Sequence, residues 1–323
     1  MKILVYGAGV IGCELAHELC QGGNDVTILA RGKWQETIQQ NGLIIRHYGQ
    51  LRTTTDSIKT IELLKQNDCY DLIFIVMQYS QVMKILPTLA ENASRHLVLV
   101  GNNVSSSYCS DQILKMAGQE KHVAFGFQGT GGYREKQRVV SMHFKKVSMT
   151  IGGLNGPLSA NFLQLLQTAF LKTDYQLNWE SHMEGWLLSH AAHILPTAYL
   201  CYIHNGHLKH STKEQIHLAV DAVAQAHQML RQLGYPIRPD GEEDAYTKSR
   251  TKKLRSLYLM VKSPAGKFVI TTHCTNAAAE MTSLSNAFDQ LRQKSNVPMP
   301  AWDTLLQKVP MKEIATTESG LSH

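Results

Sequence analysis

The chain begins with an apolar run, Lys2–Tyr6, that passes without a break into Gly7-Ala8-Gly9-Val10-Ile11-Gly12. Few short patterns restrict a fold more, because each glycine meets a steric need. Gly7 permits a tight turn, Gly9 lets the backbone approach a pyrophosphate, and Gly12 lets the following helix lie close on the strand. Ile11, Leu15 and Leu19 then repeat at four-residue spacing, Gly22-Gly23 ends the helix, and Asp25–Leu29 reads as the next strand. Strand, turn, helix and strand in that order make a βαβ unit whose first helical amides face an anion. A dinucleotide held by Gly7, Ala8, Gly9, Val10, Ile11 and Gly12 is therefore expected.

Further strands are expected at Leu43–His47, Leu72–Met77, Leu97–Val100 and Val123–Phe127, then a hairpin around Arg138–Ile151 and a helix from Pro157 to Leu171. From about Glu180 the β-branched runs give way to helical periods over Glu180–His204, Thr212–Leu233, Glu242–Val261 and Thr275–Lys294. At 323 residues, and roughly 150 residues per domain, two domains follow. The expected fold is α/β: a Rossmann-type doubly wound parallel sheet over residues 1–175, and an all-helical domain over residues 176–323. The tail after Val309 reads as polar and loosely held.

The end of the second strand chooses the cofactor. An acidic residue there would bond the 2′-hydroxyl of NAD, but the chain reads Ile28-Leu29-Ala30-Arg31-Gly32-Lys33. Arg31 can fork onto a 2′-phosphate, which favours NADP (NADPH). The other reading of Arg31 is an ordinary solvated loop residue.

This N-terminal pattern, with four later segments, resembles the ketopantoate reductase family. Glu280-Met281-Thr282-Ser283-Leu284-Ser285-Asn286-Ala287-Phe288 is similar to its E-I-D-x-I-N-G-x-V, and Asn296-Val297-Pro298-Met299-Pro300 to its G-V-x-x-P. Gly101-Asn102-Asn103-Val104 resembles its Q-N-G-V turn, and Asn205-Gly206 its N-G pair after the first long helix. The resemblance implies that Asn102 lies on the nicotinamide side, that Asn205 contacts substrate, and that Glu280 belongs to the reacting site in an interdomain cleft.

Departures from the pattern gather at that same site. The family helix reads K-x-x-x-N-x-x-x-N, and the corresponding positions here are Trp186, His190 and Ile194. Gln78 stands near the cofactor where the family usually has a lysine, and Phe268-Val269-Ile270 replaces its Ser-Ser-Met tract. Reducing a carbonyl leaves charge on oxygen, so some group must supply a proton. His190 is a candidate and so are Lys262 and Lys267, each with the alternative of a purely structural or solvated role. Trp186 and Ile194 make the expected pocket more apolar than a pantoate site.

Other features exclude function classes. Net charge is +6, and the basic run Lys248, Arg250, Lys252, Lys253 and Arg255 lacks interleaved aromatics, so no nucleic-acid partner is expected. The longest apolar stretch, Leu72–Met77, is too short to span a bilayer. Glycines and Glu14 interrupt any signal-peptide core, and six cysteines without close pairing fit a reducing cytoplasm. His190 and His193 stand three apart on a helix without an acidic or cysteine ligand, so no metal site is expected there. The sum is a cytoplasmic NADPH-dependent oxidoreductase that reduces a small-molecule carbonyl substrate other than ketopantoate, with homodimerisation left open. The alternatives are an NADP(H)-binding module without turnover and an authentic 2-dehydropantoate 2-reductase with a relocated proton donor.

Overall fold

The computed structural model describes residues 1–143, 146–263, 266 and 270–310. The chain divides into two units, Met1–Met183 and Glu184–His323.

In the first unit, parallel strands β1 (Lys2–Tyr6), β2 (Asp25–Leu29), β5 (Lys59–Ile61), β6 (Leu72–Val76), β7 (His96–Val100) and β8 (His122–Gln128) form the body of a sheet. At one edge β11 (Ser148–Gly152) pairs antiparallel with β8, and β12 (Gln176–Trp179) runs alongside β11. The order among the described residues is β12-β11-β8-β7-β6-β1-β2-β5. The chain moves outward from β1 to β2, then returns to place β6 on the other side of β1. Between β1 and β6 lies the switch point where open α/β sheets hold ligands. Five consecutive apolar residues of β6 are all buried, as a strand covered on both faces requires.

Two sequence expectations are corrected. Leu43–His47 is a strand, β3, but it belongs to a separate sheet of order β4-β3-β10-β9, with β4 at Arg52–Asp56, β9 at Gly131–Arg134 and β10 at Val139–Met142. The hairpin is β9–β10 rather than Arg138–Ile151, because β11 leaves to join the main sheet.

This second sheet changes the environment of the first helix, α1 (Val10–Gln21). One side of α1 lies on β1 and β2, while β3, β9 and β10 pack against the other. Every residue from Gly12 to Leu19 is consequently buried, Glu14, His17 and Glu18 included. Helices α2 (Gly32–Asn41), α3 (Tyr79–Glu91), α4 (Ser106–Met116) and α5 (Ala160–Phe170) complete the unit.

The second unit is helical among its described residues. Its helices are α6 (Met183–Ile203), α7 (Lys213–Gln232), α8 (Glu242–Tyr246), α9 (Arg250–Lys262), α10 (Thr272–Asn276), α11 (Ala278–Arg292) and α12 (Pro300–Leu306). Thr212 and Gln215 close a reciprocal capping box at the start of α7. Trp302 anchors the packing, stacked on Phe288 at 5.0 Å and edge-on to Tyr199 at 5.7 Å. The single helix expected over Glu242–Val261 is broken between α8 and α9, and the one expected over Thr275–Lys294 is broken before α11. The tail segment from residue 311 onward lies outside the described residues.

Candidate functional site

The glycine turn is fixed by close approaches that no side chain could share. A Cβ on Gly12 would stand 1.9 Å from the Gly7 carbonyl oxygen, and one on Gly7 would stand 2.2 Å from that of Val76. Gly7 also adopts φ +122°, in the region that favours glycine. Gly9, the N-cap of α1, differs: it is exposed, its φ is −79°, and a Cβ there would meet nothing within 4 Å. The open space therefore lies over Gly9, at the N-terminus of α1, where backbone amides favour an anion. A pyrophosphate fits such a cradle.

Other expected cofactor residues sit at the same edge of the sheet. Gln78, directly after β6, is the half-buried N-cap of α3. Gly101 follows β7 at φ +138°, and a Cβ there would stand 3.1 Å from the Met77 carbonyl oxygen. Asn102 comes next and is half-buried. The carboxyl ends of β7, β6, β1 and β2 thus carry Asn102, Gln78, the glycine turn and Arg31 in sequence across the sheet.

Arg31 is the N-cap of α2 and is exposed, its guanidinium 3.4 Å from the Tyr6 hydroxyl, a long contact that leaves most of its donors to solvent. Sequence reasoning missed two neighbours. The Trp34 indole N–H donates to the Ala8 carbonyl at 3.0 Å, which ties α2 to the phosphate turn. The Arg134 guanidinium from β9 lies 5.2 Å from the Trp34 ring centre and brings another cation close to that turn. Trp34 could have been suspected, standing three residues after Arg31. Arg134 could not, because only the second sheet brings it near.

In the helical unit, Asn205 ends α6 at φ +49° and Gly206 follows at +81°. The pair is placed against α10, where a Gly206 Cβ would lie 3.5 Å from Thr275 Cγ2. Asn205 is exposed. Glu280 is 6% exposed in the first turn of α11, where the helix dipole favours its carboxylate. His190 stacks flat on Trp186, with ring centres 5.1 Å apart and planes 11° apart.

The alternative proton donors fare differently. The Lys262 ammonium donates to the Lys209 and Ser211 carbonyls, so it staples the end of α9 to the turn before α7. Lys267 and the Phe268-Val269 tract lie outside the described residues. His193, three residues after His190 on the same helix, bonds the Tyr246 hydroxyl. Three members of the basic run have acidic partners: Lys248 with Asp244, Arg250 with Asp221, and Lys253 with Glu242. No described helix is long and apolar enough to cross a membrane.

Comparisons with known proteins agree with this architecture. Residues 3–156 match the family model for ketopantoate reductase PanE/ApbA. A 2-dehydropantoate 2-reductase of Pyrococcus horikoshii is 23% identical over 241 residues, covering 72% of this chain and 75% of the relative. Among solved structures, 2-dehydropantoate 2-reductase from Methylococcus capsulatus superposes with a TM-score of 0.72 at 17% identity, covering 100% of each chain. A ternary structure of D-mandelate dehydrogenase with NADH and anilino(oxo)acetate gives 0.72 at 16% identity, covering 97% of this chain and 98% of that one. The match to the family model is confined to residues 3–156, and the chain as a whole shares the fold of these solved structures.

Proposed function

We propose that this protein is an NADPH-dependent oxidoreductase that reduces the carbonyl of a 2-oxo acid or ketone to an alcohol. The observation that carries the reading is the space over Gly9, bounded by Gly7 and Gly12 at the N-terminus of α1 and followed at the next strand end by Arg31. The amides of the first turn of α1 bind the pyrophosphate, and Arg31 forks onto the 2′-phosphate. Gln78 and Asn102 border the nicotinamide side. The bound cofactor supplies the hydride.

The remaining work falls to groups of the helical unit. Asn205 orients the substrate by hydrogen bonding, Glu280 holds charge or a proton at its carboxyl oxygens, and His190 delivers a proton from an imidazole nitrogen. Trp186 and Ile194 favour a substrate with an apolar or aromatic group beside the carbonyl. The D-mandelate dehydrogenase neighbour, solved with an aromatic oxo acid analogue, supports including that class of substrate. Its NADH also makes coenzyme choice a point to measure.

The test follows NADPH absorbance against aromatic 2-oxo acids, hydrophobic ketones and ketopantoate, with NADH in parallel and Glu280→Ala as control. Turnover lost in the mutant supports the enzyme. Preference for ketopantoate would instead make it a 2-dehydropantoate 2-reductase with a relocated donor. The structural engagement of Lys262 favours a second reading, an NADP(H)-binding module without turnover. Tight NADPH binding with no oxidation across the panel would establish that reading and overturn the first.

A further inference from the structure

A helix with one face on a sheet usually turns its polar residues to water, but α1 has a second sheet over that face. Glu14 and His17 therefore point into a buried layer, against His47 at the end of β3, Asp56 at the end of β4, Ser141 of β10, and His143 just beyond it. The His17 end of this layer is closed by direct bonds. His17 Nδ1 lies 2.6 Å from Asp56 Oδ2, and the Gln21 amide donates to Asp56 Oδ1 at 2.8 Å.

The Glu14 end is arranged otherwise. Glu14 Oε1 lies 3.5 Å from His47 Nδ1 and 3.6 Å from His143 Nε2, and these three atoms lie within 4.8 Å of one another. The Glu14 and His47 side chains are both 0% exposed, yet neither carboxylate oxygen nor His47 Nδ1 has a hydrogen-bond partner. A buried carboxylate and imidazole left in that state are destabilising unless something else satisfies them. Had a simple ion pair been the design, closure to the His17–Asp56 distance would be the expected outcome. The observed gaps suit a central ion instead. With metal–ligand bonds of about 2.0–2.2 Å, a tetrahedral site separates its donor atoms by ~3.3–3.6 Å.

We propose that Glu14, His47 and His143 bind a divalent transition-metal ion of the zinc class, which clamps α1 to the second sheet. Two imidazole nitrogens and one carboxylate oxygen suit Zn2+ and leave a fourth position for water. The His47 ring nitrogen opposite the ion has a hydroxyl partner. His47 Nε2 is 2.8 Å from Thr54 Oγ1, so donation to that hydroxyl leaves Nδ1 with its lone pair for the metal. On the far side of the His143 ring, the Gln50 amide nitrogen lies 3.2 Å from Nδ1 and donates to the His143 carbonyl, which holds the residue in place. His143 keeps 13% of its side chain exposed, which gives the ion a way in.

The experiment uses the full chain without a polyhistidine tag, stripped with a chelator. Competition against a chromophoric chelator should show a single Zn2+ per chain, Co2+ should give the visible bands of a tetrahedral site, and Zn2+ should raise Tm. His143→Asn and Glu14→Gln should abolish all three effects. Thr54→Val should weaken Zn2+ about 10–100-fold, the range for loss of a second-sphere partner. His122→Asn, at the start of β8 in the main sheet, should bind as wild type. If Glu14→Gln fails to fold, His143→Asn and Thr54→Val decide. Absence of stoichiometric binding to the wild type overturns the proposal, and so does binding that survives His143→Asn.

Discussion

Gly9 and Gly12 stand three residues apart in one motif, yet the structure assigns them separable tasks, and a methyl group at each should separate them. At Gly12 the added carbon would lie 1.9 Å from a backbone oxygen, where ordinary contact begins near 3.4 Å, so helix and strand must part by about 1.5 Å. Forcing an extra methyl into a packed interior costs about 1–3 kcal/mol, and alanine's better helix propensity returns up to about 1 kcal/mol. Gly12→Ala should therefore lose about 2 kcal/mol, a fall in Tm of about 4–8 °C for a unit this size. At Gly9 the carbon meets nothing and the backbone is already extended, so the stability change should stay within about 0.5 kcal/mol, with the weaker cap offset by a stiffer unfolded chain. The same methyl occupies the space where the proposed function puts the pyrophosphate, and NADPH affinity should fall at least about tenfold, or 1.4 kcal/mol. Thermal unfolding and NADPH fluorescence titration on the two variants measure both effects. A Gly9→Ala protein that binds NADPH as wild type would refute the placement of the phosphates.

Three more outcomes are expected. Arg31→Ala should weaken NADPH by about 10–100-fold, as loss of a charge-assisted pair implies, and leave NADH affinity unchanged; equal losses for both would remove Arg31 from the 2′-phosphate. Burial lowers both His193 and His227 to about 4 against an ordinary value of 6.5. Between those values the unfolded chain binds more protons, so stability is complete above pH 6.5 and falls as pH drops toward 4, by up to about 1.4 kcal/mol per pH unit for each histidine. Tm against pH measures that slope, and His227→Leu should flatten it. Lys262→Met should lower stability by about 1–2 kcal/mol through loss of its bonds to two carbonyls, while kcat stays unchanged; a collapse of kcat at full stability would make Lys262 the proton donor.

The sequence made some parts of this molecule legible and hid others for definite reasons. β1 and β2 appear at the residues read from the chain, because glycine chemistry and apolar spacing there agree with each other. The range of β3 was equally readable, but its sheet was not. A signal existed: Leu43–His47 alternates between buried and half-buried positions, as a strand with one covered face does, whereas Leu72–Val76 is buried throughout. Asn205-Gly206 was readable only through its resemblance to the family's N-G pair, and the positive φ of both positions shows where the chain turns after α6. Glu14, His47 and His143 were not readable together. They lie on a helix, a strand end and a loop, far apart in sequence, and nothing local says that a second sheet will cover the polar side of α1. His190 showed its helical position but not its partner, because stacking on Trp186 depends on rotamers rather than spacing.

The double covering of α1 also bears on how the cofactor meets its site. A helix sheltered on both sides cannot fray at its first turn without disturbing two sheets, so its amides should exchange with solvent only in large-scale openings. With the phosphates placed there as proposed, the cradle is a standing feature of the fold rather than one assembled on arrival, and the ligand's binding free energy is not spent on ordering it.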